Sequence, residues 1–300
     1  MPDRIHGIIP PTTTPFDADG EIDYAAARAQ VRFMIEQGAH GIAVGGSTGE
    51  GHTLDAEEFR RLLAETTEEA AGRIPVIAGI ITDSTRDAVR RGKAVADLPV
   101  AALQVTPVHY LFRPTDDAML QHFRTLAEET EKPVIIYNVV PWSYLSPALL
   151  CRIMAEVPGV VGVKQSAGDL KLVADLMLMK RPQDLVLSAV DALLYPSFAL
   201  GCEGSIAAIL AAAPRACVEL WDAVQAGDHA RALDLHRRLL PLWNAMVGDN
   251  LPACTKFVQT LQGCPAGLPR APMPPATAAQ QAAIRRALAG LEVEIASAAE

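Results

Sequence analysis

Eight short, apolar, β-rich runs alternate with stretches of helical periodicity, and this alternation constrains the chain more than any other feature. The runs fall at 7–9, 41–44, 75–80, 101–105, 133–137, 160–163, 185–187 and 204–207. Most are continuously apolar, as strands covered on both faces must be. The stretches between them read as amphipathic helices at 23–37, 53–69, 84–95, 115–131 and 168–180. In the first, Ala27, Val31, Met34 and Ile35 recur at helical spacing. The second carries Asp55, Glu57 and Glu58 in its opening turn, where acids suit the exposed N–H groups. Ser146 followed by Pro147 marks another helix start.

Strand and helix repeated eight times predict an α/β fold, with a parallel sheet closed into a (β/α)8 TIM barrel. An open doubly wound sheet is the alternative. The chain has 300 residues, somewhat more than the roughly 250 a single barrel needs. After the eighth run only helical patterns follow, at 214–224, 229–240, 255–262 and 277–291, with a Pro/Gly-rich connector at 263–275. We therefore expect a barrel core over 1–213 and, over 214–300, the last barrel helix with a C-terminal helical extension.

Composition removes several function classes. Half the residues are apolar and a fifth are charged, the balance of a globular core. The net charge is −9 with no Lys/Arg-rich run, which argues against nucleic acid as a partner. Cys151, Cys202, Cys217, Cys254 and Cys264 lack CxxC spacing. They read as free thiols of a reducing cytoplasm, not as a zinc site. The first residues lack a signal-peptide pattern, and no apolar run reaches membrane-spanning length.

In a barrel of this kind the reactive residues gather where strands end. Lys164 follows Val160-Val161-Gly162-Val163, so it closes a buried strand. Lysine is seldom buried without reason. Desolvation there is expected to lower its pKa and release the neutral amine that attacks carbonyls. A rim lysine paired to a carboxylate is the alternative. Tyr137 also ends a strand, where a phenol could shuttle protons or serve as a core tyrosine bonded to backbone. The run Gly45-Gly46-Ser47-Thr48-Gly49-Glu50 offers successive N–H groups suited to a carboxylate or phosphate, or it is a plain strand-to-helix turn. It lacks the GK[ST] ending of a nucleotide-binding P-loop.

Taken in order, these segments resemble the dihydrodipicolinate synthase / N-acetylneuraminate lyase family of class I aldolases. The matching marks are Thr14-Pro15-Phe16 with Asp19-Gly20 and Asp23, the Gly45–Glu50 loop, Val105-Thr106-Pro107, Tyr137-Asn138, Gly162-Val163-Lys164 and Gly201-x-x-Gly204-x-Ile206. Pro252, Lys256 and Arg270-Ala271-Pro272 complete the series. The resemblance implies that Lys164 forms a Schiff base with a 2-keto acid such as pyruvate. It implies that Tyr137 relays protons, and that Gly46, Ser47 and Thr48 bind the carboxylate. No metal or organic cofactor is implied, because the protonated imine is itself the electron sink. Family members are usually tetramers, built from dimers in which a tyrosine of the strand-four loop reaches the neighbour's site, so a homo-oligomer, dimer or tetramer, is expected. His109 or Tyr110 would take that place here. Ser166, Asp191 and Ile206 fall at further substrate-binding positions.

The departures bear on the second substrate. Dihydrodipicolinate synthases carry an arginine shortly after the Tyr-Asn pair. Here the run is Tyr137-Asn138-Val139-Val140-Pro141-Trp142-Ser143-Tyr144, without one. Losing that guanidinium removes a bidentate carboxylate clamp. Of the acidic pair that sialic-acid lyases carry after strand seven, only Asp191 remains, and Ala207-Ala208 replaces a small polar position. Trp142, Tyr144, Leu111 and Phe112 could line an apolar substrate channel or pack beneath the loop. The expectation is a pyruvate-class lyase, either an aldolase or a hydratase-aldolase/dehydratase, taking a small aldehyde-type partner. Authentic 4-hydroxy-tetrahydrodipicolinate synthase is the enzymatic rival, and a non-catalytic 2-keto-acid-binding protein the rival of another class.

Overall fold

The computed structural model describes residues 5–291. Eight parallel strands form one sheet in the order β1-β8-β7-β6-β5-β4-β3-β2. They are β1 (Gly7–Ile8), β2 (Ile42–Val44), β3 (Val76–Ile80), β4 (Ala102–Val105), β5 (Val134–Asn138), β6 (Val160–Gln165), β7 (Leu185–Ser188) and β8 (Gly204–Ser205). The sheet closes on itself just past β1. A bridge joins Pro11 to Ala43, His40 N–H donates to Ile8 O at 2.8 Å, and Thr12 N–H donates to Ala43 O at 2.9 Å. All eight strand-like runs of the sequence are strands, and the open-sheet alternative is excluded.

Helices on the outside return the chain from each strand to the next. They begin where short polar side chains satisfy the free N–H groups of a first turn. Asp23 caps α1 (Tyr24–Glu36), Ser84 caps α3 (Thr85–Lys93) and Thr115 caps α4 (Asp116–Thr130). Ser146 caps α5 (Pro147–Glu156), and Asp169 caps α6 (Leu170–Met179). The helix expected from residue 53 starts later, as α2 (Ala56–Ala70). Asp55 and Glu58 form a reciprocal capping box there. Gly51–Thr53 is a separate 3-10 turn.

Two short helices, α7 (Leu194–Ala199) and α8 (Ala208–Ala212), flank β8. Then come α9 (Pro214–Gln225), α10 (His229–Met246), α11 (Leu251–Leu261) and α12 (Ala278–Gly290). The sequence ends the tenth helix near residue 240, before Pro241. The helix instead runs through that proline to Met246, because Leu242 and Met246 continue its buried face. Packing here outweighs one missing N–H. Among the described residues no helix is long and apolar enough to cross a membrane.

The sheet has two apolar surfaces. Val134, Ile136, Val163, Leu103 and Val105 belong to the large cluster between strands and helices. Ile9, Ala43, Ile77, Ala102, Ile135, Leu187 and Ile206 form a second, smaller cluster inside the barrel. Side chains alternate along a strand. Tyr137, two residues beyond Ile135, therefore points inward, and so does Lys164, next to outward-facing Val163. The apolar layer is the floor on which both stand.

Candidate active site

Lys164 and Tyr137 are direct neighbours across β5 and β6. Both are buried, at 4 % and 3 % exposure. The Lys164 Nζ lies 3.8 Å from the centre of the Tyr137 ring. Among the described residues it joins no ion pair, whereas the buried Lys256 does. The reading of Lys164 as a rim lysine tied to a carboxylate does not hold. The aromatic face cradles the amine without consuming its lone pair or its protons in a fixed bond.

The Tyr137 phenol donates to the Ser47 hydroxyl at 3.1 Å. Ser47 is 90 residues away in sequence, and the loop after β2 brings it there. That loop is a tight turn. Gly49 and Gly51 N–H groups both donate to Gly46 O, at 3.1 and 3.0 Å, and Glu50 N–H donates to Ser47 O at 3.0 Å. The N–H groups of Ser47 and Thr48 donate to no protein acceptor among the described residues, as at the start of a helical turn. Two adjacent free donors beside an amine suit a carboxylate.

Glycine makes the turn possible. Gly45 has a φ of 76°, and Gly79 of β3 lies directly beneath, where a Cβ would come within 2.7 Å of Gly46 N. The far end of the turn is anchored by charge. Glu50, fully buried, accepts from Lys256 Nζ at 2.7 Å and from Arg270 N–H at 2.8 Å.

Asn138, after Tyr137, shapes the next loop. Its Oδ1 accepts from Leu145 N–H at 2.9 Å, while its Nδ2 donates to Leu145 O and to Gln165 Oε1, both at 3.1 Å. The Tyr144 hydroxyl donates to Ser166 O at 3.3 Å, and the Ser166 Oγ is buried without a partner among the described residues.

Asp191 follows β7. Its carboxylate accepts from Ile209 N–H at 2.7 Å, closing the first turn of α8. Desolvation pushes its pKa up to about 6, opposed by that hydrogen bond and by the positive charge of Lys164. The folded chain therefore holds this proton more tightly than the unfolded one. The associated stability is complete below about pH 4 and is lost as pH rises through about 6. Asp191→Asn should flatten the loss, by an amount on the order of 2–3 kcal/mol. Urea unfolding of both proteins at pH 4 and pH 7.5 measures it, and parallel pH slopes would contradict a desolvated carboxyl.

The structure gathers Lys164, Tyr137 and Ser47 into one contacting group with Thr48 next to Ser47 in the chain, and Ile206 contributes to the apolar floor. It does not bring His109 or Tyr110 into that group. The His109 Nε2 lies 3.4 Å from Asp83 and its Nδ1 lies 3.0 Å from Pro107 O, while Tyr110 is 63 % exposed. Leu111, Phe112 and Trp142 are more exposed still, so within one chain they are not packed beneath the loop. Trp142 Nε1 donates to His109 O at 2.7 Å, tying the strand-four and strand-five loops together. Among the described residues no cluster of His, Cys, Asp and Glu could hold a metal ion.

The family model of the dihydrodipicolinate synthetase family matches residues 4–291. The chain belongs to that family. Its members are class I lyases, and this chain is one. It is 35 % identical over 289 residues to the 4-hydroxy-tetrahydrodipicolinate synthase of Methanopyrus kandleri, covering 95 % of this chain and 96 % of that one. The enzyme of the same name from Acidiphilium cryptum is also 35 % identical, with 95 % and 98 % covered. Among solved structures, dihydrodipicolinate synthase from Aquifex aeolicus superposes with a TM-score of 0.91 at 28 % identity, over 98 % of this chain and all of that one. YagE, a prophage protein of the family from E. coli K12 solved in complex with pyruvate, superposes with a TM-score of 0.92 over 97 % of this chain and 99 % of that one. At 24 % identity this is a likeness of fold.

Proposed function

We propose that this lyase forms a Schiff base between Lys164 and pyruvate or a closely related 2-keto acid. In this reading it acts with a small aldehyde-type partner, as an aldolase or a hydratase-aldolase/dehydratase. The observation that carries the reading is a buried amine, without an ion-pair partner among the described residues, 3.8 Å from the centre of a phenol ring whose hydroxyl is bonded to Ser47.

The chemistry follows from the positions. The carboxylate of the 2-keto acid takes the free N–H groups of Ser47 and Thr48, which holds the ketone toward Lys164. The free amine attacks the keto carbon, forming a C–N bond, and the carbonyl oxygen gains a proton. Tyr137 hands that proton on, with Ser47 as its hydrogen-bonded relay. Water leaves and the protonated imine remains. Loss of a C3 proton, or cleavage of the C3–C4 bond, gives the enamine. The enamine then adds to an aldehyde, or expels a hydroxyl from C4. Asp191 and Ser166 face the second substrate in this scheme, and Ile206 belongs to the apolar floor beneath it.

Incubation with pyruvate and borohydride should add one reduced pyruvyl group to Lys164, read by intact mass and peptide mapping. An unlabelled Lys164 under conditions that trap a control aldolase rejects the mechanism.

The second substrate separates two readings. The names of the 35 % identical relatives favour condensation of pyruvate with aspartate semialdehyde. Against it stands the β5–α5 loop, where no arginine is present between Asn138 and Ser146 to clamp a second carboxylate. We favour a partner without that carboxylate. A coupled assay with aspartate semialdehyde decides, since robust turnover overturns the preference.

A further inference from the structure

The apolar strand β4 carries one residue that its surroundings do not explain. Gln104 sits between Leu103 and Val105, both packed against the outer helices. Its own side chain therefore enters the barrel, on the same interior surface as Tyr137 and Lys164. It is fully buried, and neither Oε1 nor Nε2 has a partner among the described residues. Two residues on, the Thr106 Oγ1 is also buried and unpartnered. Strand four thus sends a short ladder of unsatisfied polar atoms up the barrel wall toward the mouth.

The amide has a definite neighbour. Gln104 pairs in register with Gly79 on one side and Ile135 on the other. The loop after β2 crosses above Gly79, and the Gln104 Nε2 stands 3.5 Å from where a Cβ on Gly46 would be. Neither Gly46 nor Gly79 has a side chain, so the amide reaches the underside of the loop that exposes the Ser47 and Thr48 N–H groups. A leucine would suit this strand without stranding two hydrogen-bonding atoms. A glutamine makes sense if a polar ligand enters from the mouth.

We propose that Gln104 is a substrate-binding residue, whose amide hydrogen-bonds the carboxylate of the 2-keto acid from the barrel side while Ser47 and Thr48 hold it from the loop. This rests on the Schiff-base reading of Lys164. A neutral amide is the right group for the position. It donates to an anion without carrying a charge, whereas a glutamate there would repel the carboxylate and draw the Lys164 amine into an ion pair.

The test is the pyruvate concentration that half-saturates borohydride trapping at Lys164, compared among the unaltered protein, Q104L, Q104M and Q104E. The leucine and methionine variants should need about tenfold more pyruvate, and the glutamate variant on the order of 100-fold more. Acetone, a ketone without a carboxylate, should be trapped equally by the unaltered protein and by the leucine and methionine variants. Unchanged half-saturation by pyruvate in a folded leucine or methionine variant overturns the role of Gln104 and leaves Lys164 untouched. Equal impairment with acetone overturns the carboxylate assignment. No adduct in the unaltered protein overturns both readings together.

Discussion

Lys164→Ala should abolish turnover, by a factor on the order of 10⁴ or more, in a protein that folds as before. The size follows from the proposed role, because removing a covalent nucleophile leaves only the binding and electrostatic part of catalysis. The small structural cost follows from the site. Among the described residues the Lys164 Nζ joins no ion pair, and it lies against the face of the Tyr137 ring. Truncation breaks no ion pair, the usual route to a large loss of stability, and its one electrostatic cost is the loss of the positive charge that opposes desolvation of Asp191. Far-UV circular dichroism and a thermal melt should overlay those of the unaltered chain. Tyr137→Phe tests the same centre more gently. It keeps the ring under the amine and removes the hydroxyl bonded to Ser47, so about 10²- to 10³-fold should be lost from kcat. Pyruvate should still be trapped on Lys164 in that variant, only more slowly. Full activity in Lys164→Ala would move the chemistry elsewhere in the barrel.

Local physics wrote most of the architecture into the sequence. Most strands are continuous apolar runs, and helix after helix opens on an Asp, Ser or Thr whose side chain accepts from the first turn. Lys164 was legible for the same reason, since a charged residue closing a buried apolar strand conflicts with its surroundings. The strand in fact continues one residue further, to Gln165. What periodicity hides is partnership at a distance. Tyr137 and Ser47 are 90 residues apart, and Glu50 and Lys256 are 206 apart. Only the family motifs placed either pair in one frame, and nothing in them said that Glu50 and Lys256 meet. Gln104 was hidden differently, inside a run whose apolar average masked it. Its signal was the mismatch itself, one amide among Ala102, Leu103 and Val105. Pro241 misleads in the opposite sense, because a local helix breaker was overruled by the buried Leu242 and Met246.

The Glu50–Lys256 pair should make the largest single contribution to stability that one substitution can remove. Both side chains are buried, Glu50 at 0 % and Lys256 at 2 % exposure, and they meet at 2.7 Å. Burial pushes the Lys256 pKa down, while the charge of Glu50 and the hydrogen bond to it pull it back up. Lys256 also donates to Leu268 O, and the Glu50 Oε2 accepts from Arg270 N–H. The pair therefore fastens the turn carrying Ser47 and Thr48 to α11 and the segment after it. Lys256→Ala removes the cation and leaves a carboxylate deep in the protein with one backbone donor. Breaking a buried pair in this way costs roughly 3–5 kcal/mol. Replacing both partners, as Glu50→Gln with Lys256→Met, removes the charge that would be stranded, so the double variant should lose less than Lys256→Ala alone. Urea unfolding of Glu50→Gln, Lys256→Met and the double variant gives the coupling directly. The same turn presents the N–H groups proposed to bind the carboxylate, so in that reading Lys256→Ala should also raise the KM for pyruvate more than it lowers kcat. Additive losses in the double variant would mean that the two charges stabilise the fold independently, and the clamp between the turn and the C-terminal helices would have to be abandoned.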